Sequence, residues 1–387
     1  MRLRSIETLA ATAIAVTCLA LAIHTTRAPA EPAPVVTTGA GVEAPAPAER
    51  PRIEVVFVVD TTGSMAGLIE GARQKIWALA NRLASGEPRP ELRVGLVAYR
   101  DRGDDYVTRK LDFTGDMDAV YAELLAYQAD GGGDHPEHVG KGLADAVDGM
   151  QWSRGDKVLR LVFLVGDAPP HDDYQDGLGA AALAARARDR GIRVNTVQCG
   201  SNADTTVAWR AIAAAGGGEY SSIAQDGGVV AVATPFDQAL WQLNHDLAAT
   251  VLSAGSAADK ASASVKLGNR MAMSVSAAAE AASYSAKSAR MNDEDLVGKL
   301  EAGQALADIP TAELPAEMQA MTPAEQERYV GEARRKRDAL NEQIRAVSAR
   351  RDAFLRDAER AAGVDKGFDG QVLETLRRQA GEIGVAY

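Results

Sequence analysis

Four short runs rich in branched aliphatic residues punctuate residues 53–198, with stretches of helical period between them. Residues 53–59 read Ile-Glu-Val-Val-Phe-Val-Val; residues 92–99, 158–165 and 192–198 are similar. A run of that length with so little polar alternation must be covered on both faces, as in the central strands of a parallel sheet. Residues 65–83 place Leu68, Ala72, Ile76, Leu79 and Leu83 on one helical face. Further helices are expected over 116–128, 140–150, 178–190, 205–215 and 236–252, with an edge strand at 219–223. Gly191 and Gly216-Gly217-Gly218 are natural stops for two of them. This alternation predicts an α/β fold: a doubly wound, mostly parallel sheet, followed by an α-helical C-terminal region. Ligands of such sheets sit beyond the carboxyl ends of the strands.

Those ends carry oxygen-bearing side chains. Asp60-Thr61-Thr62-Gly63-Ser64 follows the first run, and Gly166-Asp167-Ala168-Pro169-Pro170-His171 follows the most apolar one. Between them lies the loop Gly131-Gly132-Gly133-Asp134-His135-Pro136-Glu137. A parallel sheet brings Asp60, Asp134 and Asp167 to one rim. At ~4 Å and an effective dielectric near 20, each pair of carboxylates repels by on the order of 4 kcal/mol. A hard cation with oxygen ligands relieves this, and hydroxyls with carboxylates suit Mg²⁺, Mn²⁺ or Ca²⁺. The competing reading is that Asp60 and Ser64 cap the first helix, whose positive end disfavours a cation. His135, His138 and His171 allow a zinc site, although no cysteine is near them in sequence. Arg100 and Asp101 either line the rim or pair with neighbouring loops, and Glu137 reads as helix N-terminal charge. No Gly-Lys-Ser/Thr follows the glycines, which argues against a P-loop.

At these residues the chain resembles the von Willebrand factor type A family, over roughly residues 52–252. Asp60-Thr61-Thr62-Gly63-Ser64 is similar to its D-x-[ST]-x-S metal-ion-dependent adhesion-site motif. Asp167 matches the family's aspartate after the central strand, and Asp134 stands where the family places a threonine. Gly131 to Glu137 and Tyr99-Arg100-Asp101 resemble a G-G-G-D-x-P-E branch, here in a bacterial-type exported form. Some members of that branch carry alpha-kinase modules, and no kinase sequence is evident here. The resemblance implies a divalent cation, Mg²⁺ foremost, held by Asp60, Thr62 and Ser64 with Asp134 and Asp167 completing the shell. Arg100, Asp101, His135, Glu137 and His171 form the candidate ligand rim. One coordination position is left for a partner protein's acidic side chain, so the resemblance implies an adhesion or scaffold module and not an enzyme. The rival is a Mg²⁺-dependent phosphoryl hydrolase with Asp60 as nucleophile. Thr62 stands where such enzymes need a second aspartate, which leaves no evident leaving-group acid. A structural helical protein with a vestigial metal site is the third reading.

Charge and termini bound the setting. Apolar residues at 46% exclude whole-chain disorder. With 42 basic against 53 acidic residues, net −11, nucleic acid is not an expected partner. Two cysteines, Cys18 and Cys199, make no disulfide framework, and Cys199 is expected to pack as a small hydrophobe. Arg2 and Arg4 precede an apolar run over 9–23, about 22 Å as a helix against a ~30 Å bilayer core. Residues 1–30 therefore read as a signal peptide or N-terminal anchor, and residues 31–51 as a Pro/Ala-rich linker. That places the folded part in the periplasm or cell envelope, touching membrane only through an uncleaved anchor. Of residues 253–387, the stretch 253–288 has no clear period, whereas 293–309 reads as helix. Thr322, Pro323 and Glu325 start a long helix reaching about Ala362. Leu340, Ile344, Val347, Phe354, Ala358 and Ala361 form a seam on it that Arg351 interrupts. The seam fits either a coiled coil between chains, giving an oligomer, or a hairpin with a helix at 371–380.

Overall fold

A computed structural model describes residues 50–387, except 134, 172, 226–231 and 363–367. The expected signal segment, most of the linker, Cys18 and Asp134 lie outside the described residues. Six strands form one sheet: β1 (Arg52–Asp60), β2 (Glu91–Tyr99), β3 (Thr108–Thr114), β4 (Val158–Gly166), β5 (Ile192–Cys199) and β6 (Gly217–Ile223). Their order is β3-β2-β1-β4-β5-β6. All neighbours are parallel except β3, which runs antiparallel to β2.

The central strands are buried on both faces, as their composition requires. Ile53, Val55, Phe57 and Val59 point towards α1 (Ala66–Leu83) and α2 (Met117–Ala126). Val56 and Val58 point the other way, towards α3 (Val139–Asp148), α4 (Ala180–Asp189) and α5 (Ala203–Ala215). Cys199 is buried in the first of these two cores. β3 has no counterpart in the sequence-based expectation. Its residues read Thr-Arg-Lys-Leu-Asp-Phe-Thr and only Phe113 is buried, as suits an edge strand.

The chain continues through α6 (Asp237–Ala248), α7 (Ala257–Met271), α8 (Val275–Ser288), α9 (Leu296–Glu301), α10 (Pro323–Ala362) and α11 (Phe368–Ala380). The α1-side core is completed by Ala277, Ala278, Ala281 and Tyr284 of α8 and by Val372, Leu373 and Leu376 of α11. Stretch 253–288 is thus two helices, capped by Ser256 and Ser274. Their inward faces are masked in the sequence by alanine and by paired charges. Lys266 Nζ meets Asp116 Oδ2 at 2.8 Å and Glu294 Oε1 at 2.6 Å, and Arg270 Nη1 meets Asp118 Oδ2 at 2.9 Å. On α10, Leu340 and Ile344 are buried with Leu240 and Leu247 of α6 and Ala282 of α8. Their part of the apolar seam is occupied within the chain. No helix among the described residues is long and apolar enough to cross a membrane.

Candidate metal site

β1 and β4 lie side by side and end together, which sets Asp60 beside the Gly166-Asp167 turn. Asp60 is completely buried. Its Oδ1 accepts from the Thr62 amide at 2.9 Å and the Thr62 hydroxyl at 2.6 Å. Its Oδ2 has no hydrogen-bond partner among the described residues. Thr62 Oγ1 and Ser64 Oγ lie 3.4 Å apart. No side chain caps the 3₁₀ turn or α1 that follows, so the capping reading of Asp60 and Ser64 fails. Thr61 anchors the loop instead: its amide and its hydroxyl each donate to the Tyr99 carbonyl at 3.0 Å. The glycine loop closes over it through Gly63 N–H to Gly131 O at 3.3 Å and Asp130 N–H to Thr61 O at 3.2 Å.

Two further carboxyl groups face this point. Asp167 Oδ2 accepts from Gln225 Nε2 at 2.6 Å. Glu137 is held by its backbone, donating to Pro169 O at 3.0 Å and accepting from His171 N–H at 3.1 Å. Its side chain is buried, and Oε2 lacks a partner among the described residues. Burial pushes the Asp60 carboxyl up to about 7, with Asp167 adding to the rise while the Thr62 hydrogen bonds and Arg100 oppose it. Burial likewise raises Glu137 to about 9, reinforced by Asp60, Asp101, Asp104 and Asp167. The site holds more acidic groups than its own cations can balance.

The candidate rim divides. Arg100 is buried under it: Nε donates to Thr61 O at 3.2 Å, Nη2 donates to Gln128 O at 2.7 Å, and the guanidinium covers the Tyr106 ring at 4.4 Å. It braces loops and is not open to a ligand. Asp101 is also buried and accepts from Tyr174 Oη at 2.9 and 2.6 Å. The His171 ring stacks on Tyr174 at 4.1 Å, with Nε2 3.5 Å from Asp101 Oδ2. His135 is exposed. His138 caps α3 and meets Asp176 Oδ2 at 3.2 Å, and burial lowers its pKa. His138 and His171 are thus engaged by loop carboxylates and by the Tyr174 ring, and His135 stands apart in solvent. Among the described residues no group of three or more His, Cys, Asp or Glu side chains is placed to hold a metal.

Residues 54–235 match the family model for the von Willebrand factor A domain. The match spans just under half of the chain, and over this segment the chain is similar to that family. No curated protein sequence matches the chain. Three solved structures are similar to part of it. The SpRpn10 VWA domain is 14% identical, with 45% of this chain and 89% of that one covered and a TM-score of 0.35. Proximal thread matrix protein 1 from the mussel byssus, with a zinc-occupied MIDAS motif, is 14% identical, with 46% and 43% covered and a TM-score of 0.37. The pilus adhesin SpaC from Lactobacillus rhamnosus GG, in its open conformation, is 13% identical, with 46% and 29% covered and a TM-score of 0.36. The chain therefore spans less than half of the mussel protein and less than a third of the adhesin.

The described residues of this segment fit a hard cation. The donors at the strand ends are all oxygens: Asp60, Thr62, Ser64, Asp167 and the free Oε2 of Glu137. An unpartnered buried carboxylate oxygen is what such an ion would satisfy. The two hydroxyls contribute donors that acidic residues alone do not supply, and Asp134 lies outside the described residues. Sequence reasoning did not find Gln225, named Tyr99 only within the Tyr99-Arg100-Asp101 signature, and read Glu137 as a helix-end charge while keeping it on the candidate rim. Only the pairing of Glu137 with Pro170 across two loops turns it inward.

Proposed function

We propose that this chain is a divalent-cation-dependent protein-binding module, an adhesion or scaffold protein of the cell envelope. The ion is Mg²⁺, and Asp60, Thr62, Ser64 and Asp167 hold it together with Asp134. The observation that carries the reading is the fully buried Oδ2 of Asp60 at the end of β1, without a hydrogen-bond partner among the described residues and close enough to Asp167 to be repelled by it. When bound, the ion supplies a positive centre with one position open to an acidic side chain of the partner. The chain's own residues do the rest. Thr62 fixes Asp60 through two hydrogen bonds, and Gln225 orients Asp167. Asp105, Asp130, Asp173 and Asp176 are exposed around that rim. Among the described residues of loops 100–107, 127–138 and 167–179, the one exposed lysine or arginine is Arg102, and it pairs with Asp176 at 2.5 Å. The surface flanking the partner's acidic group is therefore basic. Envelope location rests on the N-terminal sequence alone.

Titration calorimetry of the purified chain tests the reading. Mg²⁺ uptake that disappears in Asp60→Ala is expected. No uptake of Mg²⁺, Mn²⁺ or Ca²⁺ by the unaltered chain would overturn it.

A further inference from the structure

Tyr99 ends β2 directly opposite Asp60, its register partner on β1. Its side chain is completely buried, and its Oη has no hydrogen-bond partner among the described residues. Buried tyrosine hydroxyls normally find one. The ring is closely approached by two glycines. A Cβ at position 142 on α3 would lie 3.1 Å from Tyr99 Cδ1, and one at position 166 would lie 2.5 Å from Tyr99 Oη. Glycine at both positions lets the phenol reach the strand ends.

The same imagined Cβ at position 166 lies 3.2 Å from Asp60 Oδ2. The phenol oxygen and the bare carboxylate oxygen therefore border one small space, no farther apart than those two distances together. Asp60 Oδ1 is already saturated by Thr62, and the Arg100 guanidinium is turned to the carbonyls of Thr61 and Gln128. That leaves Tyr99 as a neutral donor facing Oδ2. Carboxylates that ligate a metal are commonly oriented by a hydrogen bond of their own.

We propose that Tyr99 is a positioning residue of the ion site, its O–H donating to Asp60 Oδ2 through one bridging water and so aiming that carboxylate at the ion. The inference rests on the ion reading above. It is tested with Tyr99→Phe in the purified full chain, by Mg²⁺ calorimetry and by melting with and without EDTA. Tyr127→Phe is the control, since that buried phenol lies beside Glu123, Tyr106 and Arg109 instead. The expected result for Tyr99→Phe is Mg²⁺ affinity weakened about 10- to 100-fold, with the metal-free melting temperature unchanged or slightly raised. The control keeps its affinity. Unchanged affinity in Tyr99→Phe, beside normal uptake by the unaltered chain, overturns this proposal and leaves the ion reading intact. A metal-free melting temperature that falls along with the affinity also overturns it, because the hydroxyl would then serve the fold. Absence of uptake by the unaltered chain removes both.

Discussion

Asp237 on α6 and Arg351 on α10 stand 114 positions apart and form a buried ion pair at 2.6 Å. The same guanidinium reaches Glu280 Oε1 on α8 at 2.6 Å. The charge that interrupts the apolar seam of α10 is thus matched by carboxylates on the two helices that the seam covers. Removing one partner of a buried pair strands the other charge in a medium that solvates it poorly, at about 3–5 kcal/mol. Arg351→Ala is expected to lower the stability of the chain by about that amount, read from the urea midpoint. A change of well under about 1 kcal/mol, the size of an exposed surface pair, would show that water reaches these carboxylates.

How much of this was legible depends on contrast in the sequence. β1, β2, β4 and β5 announce themselves because neighbours cover both their faces, so their residues are apolar almost without alternation. β3 carries one buried side chain, Phe113, among threonines and charges, and no period stands out. In α8 the buried face is Ala277, Ala278, Ala281 and Ala282, which differ little from the rest of an alanine-rich stretch. In α7 the buried face includes Lys266 and Arg270, made tolerable only by Asp116, Asp118 and Glu294, which are distant in sequence. At the site, spacing was enough to bring Asp60, Thr62, Ser64 and Asp167 to one rim, since strand order and loop position fix their place. It could not say that Arg100 turns under the loops or that Glu137 turns in. Both depend on backbone contacts between loops far apart in the chain.

The carboxyl cluster gives the metal-free protein a definite pH response. Unfolded, Asp60 and Glu137 titrate near their ordinary values of 3.8 and 4.5; folded, they are raised to about 7 and about 9. Between those limits the native state keeps protons that the unfolded state has released, so stability falls as pH rises. The contribution is fully present below about pH 4 and is lost progressively up to about pH 9. Asp60→Asn removes its share of that loss. In EDTA, the unaltered chain is expected to lose melting temperature from pH 5 to pH 9, and Asp60→Asn to lose less. The gap between them should grow as pH rises towards 7 and level off above it, on the order of a few kcal/mol at its largest. Excess Mg²⁺ should flatten the curve of the unaltered chain alone, because an ion that binds the deprotonated native site stabilises it by mass action. Parallel curves for the two proteins in EDTA would mean that Asp60 is solvated in the folded state.

Gly166 separates the packing of the site from its chemistry. It ends β4 in the parallel register between β1 and β5, so its backbone has little room to yield. A methyl group there would meet Tyr99 Oη at 2.5 Å and Asp60 Cβ at 3.0 Å. Overpacking of this kind costs about 1–3 kcal/mol, and Gly166→Ala is expected to destabilise the chain within that range. Tyr99→Phe deletes the oxygen responsible for the shorter contact, so the double variant should regain part of the loss. Its coupling should be on the order of 0.5–3 kcal/mol. Recovery stays incomplete because the Asp60 contact persists. Mg²⁺ affinity should not recover with it, since the phenol that aims Asp60 is gone in both Tyr99 variants. Urea unfolding and calorimetry on the four proteins of the cycle read these two quantities separately. Strictly additive stabilities would show that the backbone shifts to admit the methyl group.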